Sequence, residues 1–420
     1  MSSLDYSISA SSTDISAPSP GLAGAIVRHL LRGLTSGQLV VATPRGRFTC
    51  DSGRPGPQAQ LTLHSWRTLL RLATGGGVGF ARSYIEREWS SPDLTALLEF
   101  ACRNEAVSSR RLPVPLQAVR QLRHALRRNT RRGSRRNIAA HYDLGNEFFA
   151  KWLDESMTYS SAWFSTPGQS LEDAQQGKLD RVIDWLELAP GHDVLEIGFG
   201  WGSLAERIIR RRSCRLTGLT LSTEQLAYAN KRLSLLGLSK AADLRLQDYR
   251  DIGGSFDRVV SIEMLEAVGE RYWPVFFGKL AESLRPNGIA VLQVITIDER
   301  YFDRYRRNPD FVQKYIFPGG MLPTVSAIRE QVVRAGLDLQ AIESFGTSYA
   351  LTLAAWRKRF ERYWPEIEKL GFDLRFKRMW EYYLAYCEAG FRANALDVGL
   401  YRIGRPVGPA GLVNDNRPVR

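Results

Sequence analysis

The first residues equipped for chemistry are Val194-Leu195-Glu196-Ile197-Gly198-Phe199-Gly200-Trp201-Gly202, where an apolar run ends in an acid and a Gly-x-Gly-x-Gly turn. Glycines at that spacing let a ligand come close to the main chain. The pattern departs from Gly-x-Gly-x-x-Gly, whose following helix start cradles a pyrophosphate. Glu196 instead offers a carboxylate suited to an ammonium group, directly or through water. S-adenosylmethionine is a nucleoside ligand with such a group and no phosphate. A tight turn without a ligand is the competing reading, and the strand and helix patterns on either side argue against it.

Two further segments suit the rest of such a ligand. Gly218-Leu219-Thr220-Leu221-Ser222-Thr223-Glu224-Gln225 puts hydroxyls and an amide where a ribose and adenine should lie. Thr220 and Gln225 are the binding candidates, whereas Ser222 or Thr223 serves equally well as a helix cap. Dinucleotide enzymes commonly place an acid at this point for the ribose, and its absence makes NAD less attractive. In Gln247-Asp248-Tyr249-Arg250-Asp251 an acid beside an aromatic ring is suited to hold the adenine amine and cover the ring.

Positioning these groups requires a parallel sheet. From Asn137 onward, helical segments such as 204–212 and 223–236 alternate with β-branched runs at 193–197, 215–219, 243–246, 256–260 and 288–292. This is the pattern of a doubly wound, Rossmann-like α/β fold, which binds ligands at the carboxyl ends of its strands. Residues 21–105 read as a small α+β unit, with strands around Leu39 and Val41 and around Leu61 and Leu63, and helices at 66–72 and 91–100. Residues 1–20 and 406–420 read as tails, 106–136 as an arginine-rich linker or amphipathic helix, and 137–405 as the catalytic domain. No internal repeat is present.

The chain has 420 residues and a formal net charge of +13, which calls for an anionic partner or surface. Arg110, Arg111, Arg120, Arg123, Arg127 and Arg128 interleave with Leu112, Leu116, Leu122 and Leu126, as in helices that lie on lipid headgroups, though a solvated linker fits equally well. No apolar run approaches the roughly 18 residues of a membrane span, and the start lacks a signal peptide's basic and apolar regions. A cytoplasmic protein is expected. Cys50, Cys102, Cys214 and Cys387 match no zinc or disulfide spacing, so reduced thiols and no metal are expected.

Several segments together resemble the cyclopropane-fatty-acyl-phospholipid synthases: Ala140-His141-Tyr142-Asp143-Leu144-Gly145-Asn146, Tyr159-Ser160-Ser161-Ala162-Trp163-Phe164, Gln247 to Asp251, Glu263-Met264-Leu265-Glu266-Ala267-Val268-Gly269, Lys314-Tyr315-Ile316-Phe317-Pro318-Gly319-Gly320 and Cys387-Glu388-Ala389-Gly390-Phe391-Arg392. They span residues 137–405 in family order. The resemblance implies a class I methyltransferase domain behind a small lipid-binding domain. It implies S-adenosyl-L-methionine as cofactor, bound by Tyr159, Ser160, Glu196, Gly198, Gly200, Gly202, Thr220, Gln225, Gln247, Asp248 and Tyr249. The implied substrate is an unsaturated phospholipid on an anionic membrane surface, with the enzyme peripheral to the inner face of the membrane; a homodimer is compatible with this.

In the implied reaction an acyl double bond attacks the sulfonium methyl, and loss of a proton from the added methyl closes a cyclopropane. Glu266, Tyr349 and Cys387 match the family's active-site positions. The family's base is a bound bicarbonate held around a Cys, a His, a Glu, a Tyr and an Ile. Glu266, Tyr349 and Ile295 are kept here, but Ser161 stands for the Cys, Gln293 for the His, and Ala267 for the His that often follows the Glu. Ser161 and Gln293 can still donate hydrogen bonds to an anion, without imidazolium charge. A methyl- or methylene-branched product is therefore the alternative. A small-molecule amine N-methyltransferase is a third reading, and a lipid-binding protein without catalysis a fourth. No nucleic-acid partner is expected, since the chain lacks an Asn/Asp-Pro-Pro-aromatic tetrapeptide. Tyr382, Tyr383 and Tyr386 read as a packed helix face, which an acyl tunnel would share; Met264 and Leu265 read as core.

Overall fold

The computed structural model describes residues 33–104 and 144–406. The tail 1–20, the arginine-rich stretch 106–136, His141 and residues 407–420 lie outside the described residues.

In the small unit, β1 (Gln38–Thr43) pairs antiparallel with β2 (Gly46–Asp51) and parallel with β3 (Gln58–Leu63), which pairs with the short β4 (Trp89–Ser90). Period-2 alternation turns Leu39, Val41, Ala59, Leu61 and Leu63 to the core and their neighbours to solvent. The first helix, Arg67–Ile85, runs well past the expected 66–72. It continues through a break at Gly76, whose backbone (φ 56, ψ −144) has the left-handed φ that glycine adopts freely.

The large sheet has β5 (Asp193–Ile197), β6 (Arg215–Thr220), β7 (Ala242–Leu246), β8 (Phe256–Ile262), β9 (Leu284–Ile297), β10 (Asp338–Ser344) and β11 (Leu396–Gly404), in the order β10-β11-β9-β8-β5-β6-β7. The five strands β5 to β9, foreseen from the alternating pattern, are parallel to one another. β11 is antiparallel to both β9 and β10. Chain order reverses beside β5, which lies between β6 and β8, so a crevice opens past their carboxyl ends. Leu195 and Ile197 of β5 face one apolar core with Leu280 and Leu292; Val194 faces the other with Val182, Leu204 and Ile208. Because both faces are covered, these strands are nearly continuous apolar runs.

The helix Leu374–Arg392 joins the two units. Its fully buried Glu388 accepts from Thr95 Oγ1 (3.1 Å) and is ion-paired with Arg357 (3.2 Å) and Arg392 (2.5 Å). Nearly three turns upstream, Arg378 lies 3.8 Å over the Tyr84 ring and donates to the Tyr84 carbonyl (2.7 Å). Glu388→Ala would leave Thr95 without its acceptor and Arg357 with Glu361 as its remaining ion-pair partner at this junction. Breaking a fully buried pair from one side costs about 3–5 kcal/mol; with Arg357 and Arg392 part-exposed the loss is smaller, and the urea midpoint should still fall measurably. An unchanged midpoint would remove Glu388 from the docking interaction.

Candidate active site

The glycine turn after β5 holds Gly198, Gly200 and Gly202 at φ 86, 57 and 86. A Cβ on Gly200 would meet no protein atom within 4 Å, and Gly200 borders a cavity of about 1510 Å³. That volume has room for a nucleoside and a long chain together. Glu196 is 2% exposed and its Oε2 has no partner. Burial pushes its carboxyl up to about 8 against the opposing pull of Lys178. An orphaned buried carboxylate oxygen beside an open glycine turn fits a ligand that brings an ammonium group, as S-adenosylmethionine does.

Thr220 and Gln225, both buried, border the same cavity, and Thr220 Oγ1 donates to Gln225 Oε1 (2.9 Å). Ser222 is the helix cap: its Oγ accepts from the Gln225 amide (3.3 Å). Asp248, expected to meet an adenine amine, has both oxygens engaged by Arg250 (2.8 and 2.6 Å). It borders the cavity with Gln247 and Tyr249, the latter packed on Phe276. Tyr159 and Ser160 line it too; the Tyr159 hydroxyl is 2.8 Å from that of Tyr383, and Ser160 Oγ accepts from Lys178 Nζ (2.8 Å).

Past the end of β8 stand two acids. Glu266 Oε1 accepts from the Ile295 amide (2.5 Å), and its buried Oε2 has no partner. Burial, reinforced by the charge of Glu263, pushes its carboxyl up to about 8. Glu263 sits at φ 49, a left-handed conformation that side chains other than glycine seldom adopt and that concentrates at functional sites. Its Oε1 accepts from the Ser161 amide (2.9 Å) and Gln293 Nε2 (2.7 Å), and its Oε2 from the Tyr349 hydroxyl (2.7 Å). Burial raises the carboxyl of Glu263, while these three donors and Lys178 pull it down.

Ser161 and Gln293, expected to donate to a bound anion, are turned toward groups of the protein itself. The Ser161 hydroxyl turns away and donates to the Ala162 carbonyl (2.9 Å), so only its backbone amide reaches the acid cluster. Gln293 is fully buried behind Glu263, its amide spent on that carboxylate. The donors of Ser161, Gln293 and Tyr349, three of the residues expected around a bicarbonate, converge on the Glu263 carboxylate, and a second anion would meet its charge at close range.

Tyr349 stacks on Phe391 (4.5 Å) at the cavity wall. Cys387 borders the cavity, and burial pushes its thiol up, which keeps it protonated and unsuited to nucleophilic attack. Tyr382, Tyr383 and Tyr386 are both packed face and wall: Tyr382 stacks on Tyr386 (6.1 Å), and all three line the cavity. Leu265 is core, whereas Met264 borders the cavity beside Gly198. The sequence reading assigned no role to Glu263 or Lys178. The signals were a second acid three residues before Glu266 and a lysine on the apolar stripe of the helix Leu171–Leu186. The four cysteines are free, and no cluster of potential metal ligands occurs among the described residues.

Comparison with known proteins places this geometry. Residues 129–400 match the family described as mycolic acid cyclopropane synthetase. The tuberculostearic acid methyltransferase UfaA1 of Mycobacterium tuberculosis is 40% identical over 361 residues, covering 83% of this chain and 84% of that protein. The cyclopropane-fatty-acyl-phospholipid synthase of Escherichia coli is 36% identical over 353 residues, covering 83% and 87%. The crystal structure of mycolic acid cyclopropane synthase CmaA1 complexed with SAH and CTAB superposes with a TM-score of 0.61 at 27% identity, covering 64% of this chain and 98% of that one.

Gly200→Val would put a branched side chain into the open side of the turn and force a φ of 57 on it. The backbone penalty is about 1–2 kcal/mol. Calorimetric binding of S-adenosylhomocysteine should weaken by at least about tenfold, because the backbone can no longer be approached. Unimpaired binding would mean the ligand does not cross this turn. Glu196 and Glu266 both move from 4.5 to about 8 on folding. Between those values the folded protein holds more protons than the unfolded chain, so the ligand-free protein should lose stability as pH rises from 4.5 to about 8, by up to about 1.4 kcal/mol per unit for each group. Above that window their contribution is constant. Glu266→Gln should make urea midpoints less steep with pH across it.

Proposed function

We propose that this chain, which belongs to the mycolic acid cyclopropane synthetase family of S-adenosylmethionine-dependent methyltransferases, methylates the double bond of an unsaturated fatty acyl chain in a phospholipid, with Glu263 as the base. The observation that carries this reading is the Glu263 carboxylate, held by Ser161, Gln293 and Tyr349 where a dissolved anion would otherwise be gripped.

When bound, S-adenosylmethionine supplies an electrophilic methyl on a positively charged sulfur. Glu196 would hold its ammonium, and the glycine turn, Thr220, Gln225 and the segment Gln247–Tyr249, which line the same cavity, would hold its nucleoside. The alkene π pair forms the new carbon–carbon bond as the carbon–sulfur bond breaks, leaving positive charge on the adjacent chain carbon. The Tyr349 and Tyr383 rings and the Glu266 carboxylate border the cavity and suit that charge. Walls of Tyr382, Tyr386 and Phe311 exclude water that would quench it.

Glu263 then takes a proton from the added methyl. If this happens at once, the freed C–H pair closes onto the cationic carbon as a cyclopropane. With its oxygens already bound by three donors, Glu263 is a restrained base, and the cation lives long enough for a 1,2-hydride shift to the more stable tertiary position. Loss of the methyl proton from there leaves the pair as an exocyclic double bond, a methylene branch. This geometry favours the branched product. The named relatives include both a cyclopropane synthase and a tuberculostearic acid methyltransferase.

A net charge of +13 supports an anionic membrane surface as the place of action, with the protein peripheral on its cytoplasmic side. No helix among the described residues is long and apolar enough to cross a membrane.

Mass spectrometry of acyl chains after incubation with S-adenosylmethionine and monounsaturated phospholipid should find a methylene-branched chain. A cyclopropane as sole product would overturn the branched outcome and leave methyl transfer in place. Turnover should be the same in carbonate-free buffer, and a requirement for bicarbonate would remove Glu263 as base. Glu263→Gln should lower turnover by about 10²–10⁴ while S-adenosylhomocysteine still binds.

A further inference from the structure

Lys178 is the one buried cationic side chain among the described residues, 1% exposed on the apolar face of the helix Leu171–Leu186 between Ala174 and Val182. Its Nζ donates to the Ser160 hydroxyl (2.8 Å), a neutral partner that cannot by itself compensate a desolvated ammonium. Lys178 lines the cavity together with Glu196, at the end of β5, and Glu263, after β8, and the charges of Glu263, Asp154 and Glu196 hold its ammonium up against burial. Asp154 is already committed locally, accepting from the Ser156 and Thr158 amides (3.0 Å each). Glu263 also receives Tyr349, Gln293 and the Ser161 amide, and the charge of Glu263 in turn bears on Glu266. Glu196 has Lys178 as its opposing charge.

Resting on the reading of Glu263 as base, we infer that Lys178 is a positioning residue: its ammonium is the shared counter-charge of Glu196 and Glu263, and it couples filling of the cofactor site to ionisation of the base. Before the cofactor binds, the negative charge of an ionised Glu196 works against Lys178 in its effect on Glu263. An ammonium arriving at Glu196 offsets that charge, so the positive charge of Lys178 keeps Glu263 ionised when an acyl chain meets the methyl group. Ser160 fixes the ammonium at the correct depth. It is the residue before Ser161, whose amide holds Glu263, so counter-charge and base share one stretch of backbone. Burial lowers Lys178 to about 8, leaving its proton in the range where neighbouring charges decide its state.

The test compares wild type with Lys178→Gln and Lys178→Met, either of which suffices, both checked for folding by circular dichroism. Removing the positive charge disfavours ionised Glu196 and Glu263. Two acid limbs should therefore move to higher pH by about one unit: that of turnover, and that of S-adenosylhomocysteine binding followed by calorimetry without substrate. Lys178→Arg, which keeps the charge, should leave both limbs closer to wild type than either neutral variant does. A Lys178 that only packs the helix would lower thermal stability and leave both limbs in place, and that result overturns the inference. Were Glu263→Gln to retain turnover, the base assignment would fall by itself, while the binding limb would still report Lys178 against Glu196.

Discussion

Three hydrogen bonds converge on the Glu263 carboxylate from donors 102, 30 and 86 positions away in the chain. A buried carboxylate is tolerated only where donors and positive charge compensate its lost hydration, so each of those segments has to arrive at one point. The Ser161 amide comes from the loop ahead of the helix Leu171–Leu186, Gln293 from the middle of β9, and Tyr349 from the first turns of the helix Gly346–Arg362. Glu263 itself follows β8 with a left-handed backbone, its amide donating to the Gln293 carbonyl (2.8 Å). Strand pairing of β8 with β9 and this polar convergence therefore fix one another.

Around that point the molecule is arranged as a charge balance in a dry pocket. Glu196 is buried and Glu263 and Glu266 half-buried at the carboxyl ends of adjacent strands, and desolvation raises all three carboxyls. Lys178 opposes part of that negative charge, and the remainder suits a cationic ligand and a cationic reaction centre. In the ligand-free protein this arrangement costs stability, an expense common at sites prepared for a charge that arrives later.

The second consequence is architectural. The helix Leu374–Arg392 supplies Tyr382, Tyr383, Tyr386 and Cys387 to the cavity and, on its other sides, Glu388, Glu381 and Arg378 to the small unit. The cavity continues past this helix to Leu72, Val78 and Phe80 of the helix Arg67–Ile85. Apolar lining from both units gives a long acyl chain a continuous wall, which neither unit would provide alone.

How much of this could be read from the residues follows from the range of each interaction. The five parallel strands, the glycine turn and the Ser222 alternative of a helix cap rest on patterns within a dozen residues, where period and turn chemistry speak directly, whereas Glu266 and Tyr349 were marked only by the resemblance of their segments to the family. The antiparallel β11 did not announce itself, because direction depends on which neighbour a strand pairs with rather than on its own pattern. The break at Gly76 lies inside a run that the sequence reading ended at residue 72. The resemblance put Ser161 and Gln293 at positions that hold an anion in the family, and the structure keeps Gln293 as a donor while turning the Ser161 hydroxyl elsewhere. The sequence by itself thus determined a nucleoside-binding α/β sheet, its family and the neighbourhood of the acid. Tertiary structure decided which carboxylate occupies the centre and which cation faces it, because the direction of a buried side chain is set by partners that lie far away along the chain.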